Sequence, residues 1–219
     1  MSENIFLTFQ KFNTKDEAVE LADLLKANSI DFLLEDASTS FDPTFSNNEI
    51  NKEFRIKLKQ IDFDKADKLL ITTSTIEINK IDKEYYLFQF SNEELFEILE
   101  KSDEWSKFDY VLAQKLLKER GQDINENMLE SLKRQRIREL AKPEENQKGW
   151  INAGYIFAVL GGLLGIFIGW HLNTHKKTLP NGNRVYAYST NDRKHGKRIL
   201  NIGIIFFFIW TLVKVFSLM

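Results

Sequence analysis

The stretch from Ile151 to Leu172 reads INAGYIFAVLGGLLGIFIGWHL, and no Asp, Glu, Lys or Arg interrupts its 22 positions. At 1.5 Å per residue a continuous helix of that length measures about 33 Å, enough to cross a hydrocarbon core of about 30 Å. Trp150, Tyr155 and Trp170 stand towards its ends, where amphipathic rings favour the boundary between lipid and water. A second apolar stretch, ILNIGIIFFFIWTLV from Ile199 to Val213, continues as KVFSLM, with Lys214 close enough to the terminus to snorkel. Core helices of a soluble domain seldom need apolar residues on every face for so long. Two C-terminal transmembrane helices, 151–172 and 199–216, are therefore expected, in an anchor spanning 149–219 with a connecting loop at 173–198.

Glycine patterns the first span. Gly161, Gly165 and Gly169 recur every four residues, and Gly154, Ala158 and Gly162 make a second such row. Small residues at this spacing lie along one helix face and let another backbone approach closely. These six are the expected helix-packing positions. Their partner is left open between residues 199–216, a second copy of the chain and another protein.

Charge is distributed unevenly. Residues 1–75 carry 14 acids against 9 bases, whereas residues 131–198 carry 13 bases against 4 acids. Positive charge flanking apolar spans suits anionic lipid headgroups, which attract each Lys or Arg near the surface by about 1 kcal/mol. The expected headgroup contacts are Arg134, Arg136, Arg138, Lys176, Lys177, Arg193, Lys194, Lys197 and Arg198. A bilayer explains this charge more simply than nucleic acid, so no nucleic-acid partner is expected. Topology is in conflict: two full crossings with a cytosolic N-terminus would place the basic loop outside, against the positive-inside rule. One escape is a first segment that turns back at Gly161-Gly162. Met-Ser-Glu-Asn at the start shows no basic region followed by an apolar core, so no cleavable signal is expected and the polar portion should stay in the cytosol.

That polar portion has its own periodicity. IFLTFQKF (Ile5 to Phe12) reads as a strand, and Thr14 precedes Glu17 by three positions, a capping box opening a helix with Ala18, Leu21, Ala22, Leu24 and Leu25 on one face. Ile30 to Leu34 is a second strand, and a loop rich in Asp, Ser and Asn with Pro43 follows to about Asn51. Phe54, Ile56 and Leu58 alternate with Arg55, Lys57 and Lys59, the signature of a half-buried strand. Asp62 then opens a helix carrying Phe63, Ala66, Leu69 and Leu70, and Thr75 to Ile78 is expected as a short closing strand. The order β-α-β-β-α-β predicts an α+β, ferredoxin-like N-terminal domain over residues 1–78.

Residues 5 to 74 resemble the prokaryotic signal-transducing protein domain, a small bacterial module. The resemblance rests on IFLTFQKF, TKDEAVELADLLKANSI, DFLLED and FRIKLKQIDFDKADKLL, about a third of the chain. It implies a regulatory role and brings no catalytic residues with it.

Residues 79–148 read as a helical segment. Ser91 and Glu94 make a second capping box, Leu95, Phe96, Ile98 and Leu99 an apolar face, and Ser102 or Asp103 the start of a longer helix ending at Gly121. The pair resembles a helical hairpin of bacterial proteins. A third helix, Asn125 to Ala141, is basic and stops before Pro143.

Chemistry-bearing motifs are sparse. With no cysteine, disulfides and thiolate sites are excluded. The sequence contains no phosphate loop, G-x-S-x-G or H-E-x-x-H pattern. His171 and His175 are spaced for one helix face, with His195 across the loop, but interfacial histidines explain them better than a metal site. Asp36, Asp42, Asp62 and Asp64 fit loop and helix-start positions better than acid catalysis. No catalytic residue, cofactor or metal is expected. The chain reads as a non-enzymatic regulatory or signal-transducing module at the cytosolic face of the inner membrane, multi-pass, binding lipid and a protein partner or small ligand. The alternative is an accessory subunit of a membrane complex, or a homo-oligomer, assembled through the glycine-rich helix.

Overall fold

The computed structural model describes residues 5–38, 52–82 and 84–218. They divide into two compact units, one comprising Met1–Leu140 with Thr178–Asn183, the other Ala141–Lys177 with Arg184–Met219.

In the first unit the alternation read from the sequence becomes a sheet. Strand β1 (Phe6–Phe12) and strand β2 (Phe32–Asp36) both pair antiparallel with strand β3 (Phe54–Lys59), in the order β1-β3-β2. Phe54, Ile56 and Leu58 of β3 are buried while Arg55, Lys57 and Lys59 lie on the other face. Helix α1 (Lys15–Ala27) starts where Thr14 Oγ1 accepts from the Glu17 N–H and donates to Glu17 Oε2 at 2.8 Å. Its Leu21, Ala22 and Leu25 meet Ile56, Leu58 and the Phe63 and Ala66 side chains of helix α2 (Phe63–Glu77) in one apolar core.

The expected fourth strand does not form. Thr75 to Glu77 belong to α2, and Ile78–Lys80 is a single 3-10 turn, so among the described residues the element order is β-α-β-β-α with three strands instead of a ferredoxin-like domain. The Thr72, Thr73 and Thr75 hydroxyls donate to the carbonyls of Lys68, Leu69 and Ile71, at 2.9, 3.1 and 2.7 Å. These local bonds satisfy the hydroxyls inside the helix, where β-branching alone favours a strand. Ile78 is buried in a second apolar core, which decides the matter by tertiary packing.

That core belongs to helices α3 (Asn92–Glu100) and α4 (Lys107–Glu119), with α5 (Glu126–Leu140) beside them. Ser91 and Glu94 form the reciprocal capping box, the Ser91 N–H donating to Glu94 Oε2 at 2.7 Å. The α4 cap is Ser106, whose Oγ accepts from the Asp109 N–H, so the helix starts later than Ser102 or Asp103. Asp67 of α2 ties the two parts of this unit together, with Lys107 at 2.7 Å and Lys133 at 3.2 Å. Burial pushes the Asp67 carboxyl up, but the two ammonium groups outweigh it and hold the group below its ordinary value.

The second unit corrects the expectation of two transmembrane helices. Residues 151–172 do not form one helix: α6 (Lys148–Leu160) ends at Gly161, and α7 (Leu163–Thr174) begins after Gly162. Gly162 has φ +77°, a left-handed conformation that L side chains rarely adopt, so the chain reverses there. A two-stranded ribbon, β4 (Lys176–Thr178) and β5 (Arg184–Tyr186), precedes the 29-residue helix α8 (Thr190–Leu218). Among the described residues α8 is the one helix long and apolar enough to cross a membrane. Eight α-helices and the 3-10 turns make the described residues 64% helical, beside a few short strands, against the mixed α+β class expected.

Candidate membrane-interface site

Glycine decides how close the three helices of the second unit come. A Cβ placed on Gly165 would overlap the backbone of Ala158, so α6 and α7 touch main chain to main chain. On Gly169 it would stand 2.6 Å from Gly196 O, and on Gly162 it would stand 2.6 Å from both Gly203 O and Phe207 N. As α7 ascends from 162 to 169, α8 descends from 203 to 196, so these two are antiparallel. Gly154 receives the Ile199 side chain, and Trp210 Nε1 donates to Val159 O at 3.1 Å, so α6 runs parallel with α8.

The six expected packing positions therefore separate. Gly154, Ala158, Gly165 and Gly169 lie in helix contacts within this chain, Gly162 forms the turn and touches α8, and Gly161 has nothing within 4 Å of a would-be Cβ. The two rows do not run along a single helix, because both are cut at 161–162. Sequence reasoning missed Gly196 and Gly203, which supply α8's half of the contact. Their seven-residue spacing, two helical turns on one face, was the available signal.

One end of this bundle is polar. Ser189 caps α8, accepting from the Asp192 N–H at 3.1 Å while its hydroxyl donates to Asp192 Oδ2 at 2.6 Å. Arg193 lays its guanidinium 3.2 Å above the Tyr186 ring and donates through Nε to Asn173 O at 3.2 Å. Lys176 lies over the same ring at 4.7 Å, and Lys177 donates to Lys142 O at 2.7 Å. Backbone bonds from Glu144 N to Ala187 O and from Ala187 N to His175 O join the neighbouring segments.

Two of the three histidines stack on each other, and the third meets a tyrosine. His171 stacks on His175 at 4.5 Å between centroids, and its Nε2 lies 3.0 Å from the Tyr188 hydroxyl. His195 Nδ1 is 3.1 Å from the Tyr155 hydroxyl. Burial, then the Glu144 carboxylate, hold the Tyr188 phenol above its ordinary value, so it keeps its proton. Among the described residues no three His, Asp or Glu side chains converge on a point that could hold a metal.

The expected headgroup residues also divide. Arg136 is committed within the first unit, its fork meeting Asp103 at 2.7 and 3.0 Å. Arg134 lies 3.7 Å from Glu130, and Arg138 is exposed. Lys194, Lys197 and Arg198 stand exposed on the first turns of α8, without an ion-pair partner among the described residues. Of the acids considered, Asp36 accepts from the Ser38 N–H at 3.0 Å, and Asp64 stands 3.6 Å from Lys133. Asp62 precedes α2 without a side-chain cap bond, and Asp42 lies outside the described residues, as does most of its loop.

Beyond the polar end the surface turns apolar. Leu160 and Leu163 flank the turn in the open, and every residue of α8 from Phe207 to Ser217 is exposed. Only 11% of α8's most apolar 18-residue window is buried, the reverse of a soluble core helix. Compared with family models, curated proteins and solved structures, the chain shows no match to any of the three.

Proposed function

We propose that the chain is a non-enzymatic regulatory or signal-transducing module fixed to the cytosolic face of a bacterial inner membrane. Helix α8 crosses the bilayer once, and the α6–α7 hairpin enters and returns on the side of the N-terminal unit. The supporting observation is the exposed apolar length of α8. Residues 199–217 measure about 28 Å, close to a hydrocarbon core of about 30 Å, and they begin where Lys194, Lys197 and Arg198 end. A returning hairpin also leaves the basic loop inside, which removes the conflict with the positive-inside rule. The polar unit then acts by binding a protein partner or small ligand, and its resemblance to a signal-transducing domain supports that role.

Fractionation tests the anchor. The full chain should remain with membranes through alkaline carbonate washing, and a compact monodisperse species in the supernatant would end this reading. Single cysteines at Ser2, Ser189 and Met219, clean in a chain without native cysteine, should label from one side at the first two positions and from the other at the third. Exposed surface charge of the first unit replaced in blocks should change the proteins captured with the detergent-solubilised chain. An unchanged set across all blocks removes the regulatory role.

A further inference from the structure

Helices α6 and α7 stop halfway along α8. The hairpin apex at Gly162 meets α8 at Gly203 and Phe207, and beyond it Trp210 Nε1 donates to Val159 O. From Thr211 to Ser217 α8 continues alone, exposed on all sides. Residues 151–160 of α6 measure about 15 Å, half of a hydrocarbon core of about 30 Å. The apolar surface is thus three helices wide over one half of α8's apolar length and one helix wide over the other.

We infer that this unit is a wedge that recognises membrane curvature, its partner being the convex leaflet of an anionic bilayer with the N-terminal unit on the convex side. The inference rests on the anchoring proposed above and deepens it. With helices about 10 Å across, the near leaflet accommodates about 240 Å² of protein cross-section and the far leaflet about 80 Å². Outward bending spreads the headgroup side of the near leaflet and relieves that imbalance, whereas inward bending aggravates it. The glycine contacts make the wedge stiff. Gly162, Gly165 and Gly169 hold backbone against backbone, so the broad half cannot splay or thin without breaking main-chain contacts. Lys194, Lys197 and Arg198 stand at the broad end, where anionic phosphates would hold it at the surface.

The first unit offered a weaker candidate. The open face of its sheet carries Arg55, Lys57 and Lys59, but Glu53, Glu35 and Asp31 already pair with them.

The test is sorting on membrane tubes. The full chain, labelled through Ser2→Cys, is reconstituted into giant vesicles of phosphatidylcholine and phosphatidylglycerol, and narrow tubes are drawn outward. With the N-terminal unit outside, the protein-to-lipid signal should be several-fold higher on the tube than on the parent vesicle. With the unit inside, it should fall below the parent value. A ratio of one in both orientations overturns the wedge while leaving the anchor standing. A chain that carbonate strips from the vesicles overturns both. The Gly161→Leu/Gly162→Leu chain adds a second readout, because a straightened segment puts two helices in each half. Its sorting should vanish in the fraction whose Ser189→Cys labels from the far side, and enrichment persisting in that fraction also overturns the wedge.

Discussion

Gly161 and Gly162 are neighbours in an apolar run, yet the structure assigns them opposite tolerance to substitution. At Gly162 the backbone is left-handed, φ +77°, which costs an L residue about 1–2 kcal/mol. A Cβ there also stands 2.6 Å from Gly203 O and Phe207 N, both backbone atoms that cannot swing aside. Overpacking of this kind costs about 1–3 kcal/mol. Gly162→Ala should therefore weaken the bent state by about 2–5 kcal/mol, a factor of at least about thirty in the equilibrium between packed and opened hairpin. Gly161→Ala meets nothing within 4 Å, and its ordinary negative φ (−157°) adds no left-handed strain. Gly161 lies outside both helices, so alanine's helix propensity acts only on the straightened segment, favouring it by at most about 1 kcal/mol. SDS titration of the full chain in mixed micelles, followed by tryptophan fluorescence, measures both variants under one protocol. The Gly162→Ala midpoint should fall well below the parent, and Gly161→Ala should stay near it. Equal losses, or a larger loss at Gly161, would show that the glycines serve one continuous span and would refute the reversal.

Three further outcomes test the remaining structure. Asp67→Asn should destabilise the first unit by about 1–3 kcal/mol, since Lys107 and Lys133 lose their shared partner. The Asp67 carboxyl is held below its ordinary value, so its contribution is full above the normal carboxylate range and is lost as pH falls through the lowered value. The parent should accordingly lose stability below about pH 4, and the variant's acid limb, followed by circular dichroism, should be flatter. Tyr85→Phe removes the hydroxyl that donates to Asp109 Oδ1 at 2.7 Å, leaving a buried carboxylate oxygen short of a donor. Urea unfolding should register a loss of about 1–3 kcal/mol, and no change would deny that bond a structural role. Replacing Lys194, Lys197 and Arg198 together by Gln should lower insertion into phosphatidylglycerol-containing vesicles and leave insertion into phosphatidylcholine alone nearly unchanged. Each cation is worth about 1 kcal/mol near an anionic surface.

Local chemistry was legible in the sequence where its causes are local. Ser91 with Glu94 forms the reciprocal box that the spacing predicts, and Thr14 with Glu17 forms half of one, the Thr14 hydroxyl rather than its backbone N–H meeting the Glu17 carboxylate. Phe54, Ile56 and Leu58 show their period of two because one face of β3 is buried and the other is not. Thr75 to Ile78 misled for the converse reason. Propensity favours a strand for Thr-Ile-Glu-Ile, but Ile78 belongs to a core built by Leu87, Leu95 and Leu112, residues whose approach no local pattern records. The α4 start was misplaced by a few residues because Ser102, Asp103 and Ser106 are all competent caps, and packing chooses among them.

The break at Gly161-Gly162 belongs to neither class. Hydropathy sums the transfer of side chains and is blind to the direction of the main chain, so a straight span and a hairpin of the same residues score alike. Two other signals bore on the choice: the basic loop that a full crossing would carry to the wrong side, and the pair of adjacent glycines where a reversal needs freedom in φ. Neither identifies which glycine bends, and the structure does so through Gly203. A residue 41 positions away (absent from both glycine rows) presents its carbonyl where a side chain on Gly162 would have to stand. Helix α8 thus acts as a template for the hairpin: its glycines at 196 and 203 admit α7 at van der Waals distance, and that close approach requires glycine in return at 162 and 169. The requirement is reciprocal, so enlarging Gly203 should disturb the same contact as enlarging Gly162, and the two changes together should cost less than their sum.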